Sequence, residues 1–459
     1  MAARPFKAYL LSLSAIPDDP RVRRMGDALA ARGWEVAGVG LAGARGAPPA
    51  WRVHEAPPPV GPPGPARTTT GDFSAQAERW LGRVVAASLA PAEALLQTSG
   101  SPYARLVADV RTKIPELDRP FQSLGRAVRR RTTRWAEEAR LGPDQRMAAQ
   151  LHRRLPQLPQ MHDIVRALPG PALWIANDWM MLPLAAAGCA RAGGVVAYDS
   201  HELATEEYAE LPEWRRFQRP LVQAIESRFV GEARVVSAVS PGIATHIERL
   251  YGLNSARTFT LLNAPAYAPK PFRETGATVR LLYHGVVAPG RGLEACIDAV
   301  ALLRPAFTLT VRGPGAPEYL QSLTARARAF GDRVTFEPPV PMTQLVDAAR
   351  GFDIGLMVLP DHSLHASYAL PNKLFEYLMA GLAIAVTDLR EMGALARSSG
   401  AGVTIPALSA EAIAGALNAL TTADIDARRR AALEAAKELN WEKQSGPVLD
   451  AYEAAMADA

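Results

Sequence analysis

Polar residues at the start of a strongly apolar segment are the first place where this sequence could do chemistry. In LPNKLFEYLMAGLAIAV, residues 370–386, the apolar side chains recur at helical spacing and predict one buried stripe: Leu374, Phe375, Leu378 and Met379. Asn372, Lys373 and Glu376 fall on a different face of the same helix. Pro371 fits the beginning of that helix and Gly381 fits its end, before an apolar run typical of a buried parallel strand.

These polar side chains, with the backbone around Leu370 and Pro371, suit a phosphorylated ligand. The free amides and the positive dipole end of a helix N-terminus attract phosphate, and Lys373 adds a positive charge. The carboxylate of Glu376 can accept hydrogen bonds from hydroxyls such as those of a ribose. The same spacing also fits an ordinary surface ion pair between Lys373 and Glu376. Other parts of the sequence are therefore needed to choose between a ligand site and an ion pair.

Further candidates follow predicted strands in the second half of the chain. His284 and Gly285 end the strand VRLLYHG, and Arg291 stands just before a helix, where its guanidinium could reach a diphosphate. Gly313 and Gly315 form a turn into another helix. Neither segment is a GxGxxG fingerprint or a GxxxxGK[ST] phosphate loop, which argues against dinucleotide-binding and P-loop proteins.

The first half of the chain offers a polar cluster, Asp-Ser-His-Glu at residues 199–202, directly after the strand VVAY. The aspartate or the serine alone is best explained as a helix cap. His201, at the edge of a cleft, could donate to a sugar hydroxyl or to a developing charge. Asn177 and Asp178 follow another strand, and helix capping is the simpler explanation there too.

A metal-dependent site for a nucleotide sugar would be expected to carry Asp-x-Asp at the end of a strand. The obvious match, Asp424 and Asp426, lies in an Ala- and Arg-rich helical segment and is predicted to be solvated surface. The sequence therefore predicts no metal.

Two halves of alternating strand and helix would position these residues. Residues 1–268 predict an N-terminal Rossmann-like domain, interrupted by the proline-rich APPPVGPPGPA and a helical basic insertion at about 66–168. Residues 276–439 predict a second doubly wound domain of six strands, and residues 440–459 a final helix that packs back on the N-terminal domain. Open α/β sheets bind ligands at the carboxyl ends of their strands, so a cleft between the domains is the expected site.

Composition and charge restrict the class of protein. The 459 residues carry a net charge of +5, yet sixteen basic and nine acidic residues fall within residues 60–157. There, RAVRRRTTRW at 126–135 predicts a cationic helix that could lie on an anionic membrane or be ordinarily solvated. No nucleic-acid-binding module is recognised. Two distant cysteines, Cys189 and Cys296, and the absence of a signal peptide or membrane span predict a cytoplasmic protein, with the inner face of the membrane as an alternative.

Five segments in this order make the sequence resemble the GT-B fold glycosyltransferases of family 4. They are DPRVRRMGDALAARGWEV, YDSHEL, YHGVVAPGRGLEACIDAVALL, DIGLMVLP and LPNKLFEYLMAGLAIAVTD, and the resemblance spans nearly the whole chain except the insertion. It implies an α/β fold of two Rossmann-like domains facing a central cleft. It also implies a UDP- or GDP-sugar donor, retention of the anomeric configuration, and no metal or other cofactor.

The resemblance assigns roles to individual residues. Glu376 matches the family glutamate that binds the nucleotide ribose, and His201 matches the histidine near the donor sugar. The family's sugar-binding glutamate should stand at 368, where this sequence has Tyr368. Sugar recognition would then differ, or fall to neighbours such as His365 or Ser367.

The phosphate-binding residues depart from the family pattern as well. Arg291 stands at the position of a family lysine, but Val286 replaces an arginine, a loss that Lys373 could compensate. The usual Gly-Gly of the first loop is replaced by AIPDDPRVRR, in which Arg21 could contact phosphate. Arg291, Lys373 and the helix dipole would stabilise charge on the departing diphosphate.

The sequence thus predicts a retaining, metal-independent glycosyltransferase that uses a nucleotide sugar and a glycan or lipid-linked acceptor. A sugar-nucleotide epimerase or hydrolase of the same two-domain fold is one alternative. A catalytically weakened GT-B scaffold that partners an active transferase is another, and the residues Tyr368 and Val286 keep it open. The residues identify neither the donor base nor the sugar nor the acceptor.

Overall fold

The computed structural model describes residues 5–57, 147, 151 and 154–459. The proline-rich stretch after residue 57 and most of the predicted insertion, including the basic stretch 126–135, lie outside the described residues. The end of the insertion is a helix, Leu158–Ala167, which buries Leu158, Met161 and Val165. Both sheets belong to one compact unit of the chain.

Seven parallel strands form the first sheet in the order β3-β2-β1-β4-β5-β6-β7. The strands are β1 Lys7–Leu11, β2 Glu35–Leu41, β3 Arg52–Ala56, β4 Ala172–Asn177, β5 Gly194–Ser200, β6 Ala233–Ala238 and β7 Thr258–Thr260. The helices described between them are α1 Pro20–Ala31, α2 Leu158–Ala167, α3 Leu182–Ala192, α4 Pro212–Phe217, α5 Arg219–Phe229 and α6 Pro241–Tyr251. The edge strand β3 is absent from the sequence prediction because it is short, its sequence RVHEA is mostly polar, and only its last residue, Ala56, is buried.

Six parallel strands form the second sheet, as predicted, and their order is β10-β9-β8-β11-β12-β13. The strands are β8 Val279–His284, β9 Phe307–Arg312, β10 Val334–Glu337, β11 Ile354–Met357, β12 Ala383–Thr387 and β13 Gly402–Ile405. The helices are α7 Leu293–Leu302, α8 Pro317–Ala327, α9 Leu345–Ala349, α10 Leu364–Tyr368, α11 Asn372–Ala380, α12 Arg390–Ser398, α13 Ala410–Asn418, α14 Thr422–Ala436 and α15 Trp441–Ala457. In both sheets the strand order reverses beside the first strand, so the predicted pair of doubly wound domains is confirmed.

The central strands are apolar because helices cover both faces of each sheet. Every residue of β4 and of β12 is buried, which explains their continuous rather than alternating hydrophobic pattern. Helix α11 follows Pro371 and ends at Gly381, where φ of +75° gives the left-handed conformation that glycine adopts freely. The boundaries predicted for this helix, Pro371 and Gly381, are therefore confirmed.

The last helix, α15, packs on the first domain rather than on the second. Its buried side chains share one apolar cluster with residues of β1 and α1: Trp441, Val448, Leu449, Tyr452 and Met456 from α15, with Leu10, Val22 and Met25. The connection at 261–278 contains no helix or strand. Both cysteines are free, Cys189 on α3 and Cys296 on α7. None of the helices in the described ranges combines the length and apolar character that a membrane span requires.

Candidate active site

Glu376 is held at the carboxyl end of the second sheet by a buried histidine. Its Oε2 lies 2.9 Å from Nε2 of His284, the last residue of β8, which is 1% exposed. The His284 ring stacks on Tyr377 at 4.7 Å between centroids, and the His284 backbone N–H donates to the Tyr377 hydroxyl at 3.0 Å. Asn372 Nδ2 donates to Glu376 Oε1 at 3.4 Å. The predicted ribose-binding carboxylate is therefore fixed in place by groups from β8 and α11.

Two glycines let Lys373 and the backbone come unusually close. At Gly285, φ is +121°, and a Cβ there would lie 2.0 Å from Lys373 Cε. At Gly313, φ is +148°, and a Cβ would lie 1.8 Å from the carbonyl oxygen of Gly285. Both positions need glycine for conformation and for space. The predicted glycine turns thus leave room for the lysine to lie over the end of β8.

Lys373 is a half-buried cation among charges from both domains. Burial and the positive charge of Arg291 lower the pKa of Lys373, Glu376 and Glu202 oppose them, and together these groups bring the pKa to about 8. Arg291 is itself half-buried just before α7. Arg291 before α7 and Lys373 in the first turn of α11 place a cation at each of two helix N-termini, an arrangement that suits a diphosphate.

His201 lies between two carboxylates at the carboxyl ends of β4 and β5. Its Nε2 is 3.3 Å from Asp199 Oδ2 and its Nδ1 is 3.7 Å from Asp178 Oδ2, while its backbone N–H donates to Asp178 Oδ1 at 3.2 Å. Burial lowers the pKa of His201, but Asp178 and Asp199 outweigh it and raise the pKa to about 9. At neutral pH the ring is therefore an imidazolium that can donate from both nitrogens.

Asp178 takes up a strained backbone conformation to hold this histidine. Its φ of +68° is the only positive value at a non-glycine residue in the described ranges. It makes no side-chain cap to the helical turn that follows, so the capping explanation is wrong for this residue. Its neighbour Asn177 donates to the carbonyl of Leu11 at 3.1 Å and ties β4 to β1. Strain of this kind persists where surrounding contacts enforce it, often at functional sites.

Asp199 is the buried counter-ion of Arg21 and not a helix cap. Arg21 donates through Nε and Nη2 to the two carboxylate oxygens at 2.7 and 2.6 Å, and its Nη1 donates to the carbonyl of Leu261 at 2.9 Å. Ser237 Oγ donates to Asp199 at 2.6 Å. Burial acts to raise the pKa of Asp199, but Arg21 and His201 keep it below its usual range. Arg21 is 2% exposed, so the expectation that it contacts phosphate is wrong.

Tyr368 contacts the first domain. Its ring is 6% exposed and packs on α6, where a Cβ at Gly242 would lie 2.6 Å from it. Arg390 stacks on the ring at 5.2 Å, and His246 lies 6.1 Å from it. These contacts therefore give no support to a role of Tyr368 in donor binding. Leu370 likewise turns its side chain into the apolar cluster of the second domain, which leaves its backbone for a ligand.

Two histidines of the second domain contact glutamates of the first domain, one of them the residue next to His201. His365 Nε2, on α10, lies 3.3 Å from Glu202 Oε2, and the more exposed His362 lies 3.9 Å from Glu210 Oε2. Ser367 and the ligand-side residues Pro371 and Asn372 are half-buried. Sequence reasoning named His365 and Ser367 as neighbours but did not pair either with the first domain.

The Asp-x-Asp segment has a structural role. Asp424 forms a capping box with Thr421 at the start of α14, and Asp426 accepts from the Thr275 backbone N–H at 2.9 Å. Within residues 5–57 and 154–459 no group of three or more His, Cys, Asp or Glu side chains is placed to hold a metal. Metal independence stays a prediction.

Comparison with known proteins finds solved structures of similar fold. No curated protein sequence matches the chain significantly. Sucrose-phosphate synthase from Thermosynechococcus elongatus is 16% identical, with a TM-score of 0.65 over 99% of this chain and 100% of its own. HepE from Anabaena, in complex with UDP and glucose, is 13% identical, with a TM-score of 0.60 over 98% of this chain and 100% of its own. WaaG, a glycosyltransferase involved in lipopolysaccharide biosynthesis, is 15% identical, with a TM-score of 0.53 over 97% of this chain and 98% of its own. The chain therefore has the two-domain α/β fold of GT-B glycosyltransferases, and its residues 278–423 match the family of glycosyl transferases group 1.

Proposed function

We propose that this protein is a retaining, metal-independent glycosyltransferase that moves a sugar from a UDP- or GDP-sugar to an acceptor. The observation that carries the proposal is the meeting of complementary groups at the ends of the two sheets. Lys373 and the His284-held Glu376 come from the second domain, and the protonated His201 comes from the first. The charge of Glu202, next to His201, acts on Lys373, which supports the assignment of the two sets to one site.

Each group has a task in such a transfer. Glu376 accepts hydrogen bonds from the ribose hydroxyls, since its carboxylate is fixed and 13% exposed. Lys373, Arg291 and the first-turn amides of α11 bind the diphosphate and stabilise the negative charge that develops on it as the sugar departs. His201 donates to the sugar or to the leaving phosphate. Retention follows from attack on the face from which the diphosphate leaves, and no protein nucleophile is assigned.

The acceptor is proposed to be a glycan or a lipid-linked glycan. The family resemblance supports this choice, and so does the basic stretch 126–135, which lies outside the described residues. Contact of that stretch with anionic lipid would place the enzyme at the cytoplasmic face of the membrane. WaaG, which shares the fold, is involved in lipopolysaccharide biosynthesis.

Thermal unfolding of the purified protein with nucleoside diphosphates tests the donor site. HepE is known with UDP and glucose, so UDP and UDP-glucose head a panel that includes GDP and GDP-sugars, each with and without Mg²⁺. We expect a rise in Tm with one base, independent of Mg²⁺ and lost in Glu376→Ala. Glu411→Ala, at an exposed position on α13, is the matched control and should keep the full rise.

Other results would favour the alternatives. A Tm unchanged by every nucleotide would favour a non-catalytic GT-B scaffold, for which Tyr368 and Val286 would be the relevant departures. Stabilisation followed by release of free sugar or of an epimerised nucleotide sugar, with no acceptor added, would favour a hydrolase or an epimerase.

A further inference from the structure

We infer that Glu202 and His365 together form the subsite that recognises the hydroxyl groups of the donor sugar. This inference rests on the proposed function and deepens it. It places sugar recognition on a pair that spans the two domains, instead of on a carboxylate at position 368. The first observation is the position of Tyr368, whose buried ring packs on Gly242 and under Arg390. Helix α10 therefore offers a donor sugar no polar group at that residue.

The pair lies where the end of β5 meets α10. Glu202 follows directly after His201 at the end of β5, and its Oε2 lies 3.3 Å from His365 Nε2. The Glu202 side chain is 50% exposed and that of His365 is 20% exposed, so the pair borders open space on the glutamate side. The other ring nitrogen, His365 Nδ1, is buried and makes no hydrogen bond within the described part of the chain. A buried polar atom without a partner is costly, and a ligand hydroxyl would relieve that cost.

The position fits a sugar attached to a diphosphate. Glu202 adjoins His201 on one side, and on the other its negative charge acts on Lys373, the proposed phosphate ligand. A sugar joined to a phosphate on Lys373 must extend from that lysine, and the space beside His201 is where its ring would lie. The pair therefore borders the ring and not the nucleotide.

The chemistry of the two side chains fits sugar hydroxyls. A carboxylate accepts from two adjacent hydroxyls, and a neutral imidazole donates from one nitrogen and accepts at the other. Burial lowers the pKa of His365 and the charges of Arg291 and His362 lower it further, while Glu207 and Glu210 oppose them. The ring is thus neutral at pH 7: Nε2 carries the proton and faces the Glu202 carboxylate, and Nδ1 is left to accept from a sugar hydroxyl.

Calorimetric titration with nucleotides that carry or lack a sugar tests the inference. The base that stabilises the wild-type protein is used as its diphosphate and as its diphosphate sugar. For Glu202→Gln and His365→Ala we expect about tenfold weaker binding of the sugar nucleotide and unchanged binding of the diphosphate, as the loss of a hydrogen bond to a charged or buried group predicts. His362→Ala is the matched control, because it removes the neighbouring, more exposed cross-domain contact. It should leave both affinities unchanged.

The outcomes separate this inference from the function on which it rests. If the wild-type protein binds no nucleotide, the proposed function fails and the subsite fails with it. If the diphosphate binds but both variants bind the sugar nucleotide as tightly as wild type, the inference alone is wrong. Equal weakening of both ligands would also overturn it, because the pair would then only hold the domains together. Thermal unfolding of each variant without ligand confirms that it is folded.

Discussion

The two carboxylates around His201 make its titration the sharpest test of the structure. We consider the substitution Asp178→Asn, which removes one negative charge and keeps the shape of the side chain. Asparagine is among the few residues that tolerate positive φ, so the backbone at +68° should persist. Its amide oxygen can still accept from the His201 backbone N–H. The variant therefore tests the effect of the Asp178 charge alone.

The magnitude follows from the pKa of His201. Its usual value of 6.5 is raised to about 9 in the folded protein. The folded state therefore binds this proton more tightly than the unfolded chain does, and a difference of this size corresponds to about 3 kcal/mol. That stability is fully present below pH 6.5 and is lost as the pH rises through 9. Removing one of two nearby opposite charges should lower the pKa of His201 to about 7–8 and cost about 2 kcal/mol at pH 6, but almost nothing at pH 9.5.

Two measurements check this prediction. NMR titration of the imidazole resonances, with His201→Gln to assign the signal, gives the pKa in the wild type and in Asp178→Asn. Urea unfolding at pH 6 and pH 9.5 gives the loss of stability at each pH. Asp163→Asn, on the exposed side of α2, is the control and should alter neither quantity. A wild-type His201 pKa at or below 6.5, or one that Asp178→Asn leaves unchanged, would refute the reasoning.

Three further predictions concern buried or half-buried charges. Arg21→Met should cost about 3–5 kcal/mol in urea unfolding, because it leaves the 1% exposed Asp199 without its counter-ion; a loss below 1 kcal/mol would contradict this. Burial raises the pKa of Glu226 from 4.5 to about 6, although two tyrosines donate hydrogen bonds to its carboxylate. This group should therefore cost the wild type about 1 kcal/mol of stability as the pH rises from 4.5 to 6. Glu226→Gln should remove that slope, as unfolding at the two pH values will show. Lys373→Met should weaken nucleoside diphosphate binding about tenfold in calorimetry at pH 7, whereas an unchanged affinity would exclude a phosphate contact.

Most of the fold could be predicted from the amino-acid sequence. Buried parallel strands are apolar without interruption and helices repeat their apolar residues at their own period, and both signals are local. The two doubly wound domains and the limits of α11, from Pro371 to Gly381, could therefore be predicted. So could the position of Lys373 and Glu376 on the polar face of that helix. The edge strand β3 escaped prediction because an exposed edge needs no apolar pattern.

The tertiary structure was needed to show which charged groups pair and which way individual side chains turn. Arg21 and Asp199 are 178 residues apart, so their pairing depends on the order of strands in the sheet, which no local pattern encodes. The sequence therefore predicted Arg21 as a phosphate ligand, although it is buried. It likewise predicted Asp199 as a helix cap, although it is the counter-ion of Arg21. The positive φ of Asp178, the turn of Tyr368 toward α6 and the contact of His365 with Glu202 likewise arise where distant segments meet. Local periodicity reflects what a residue's own backbone prefers, but a side chain meets its partners only after distant segments of the chain have packed together.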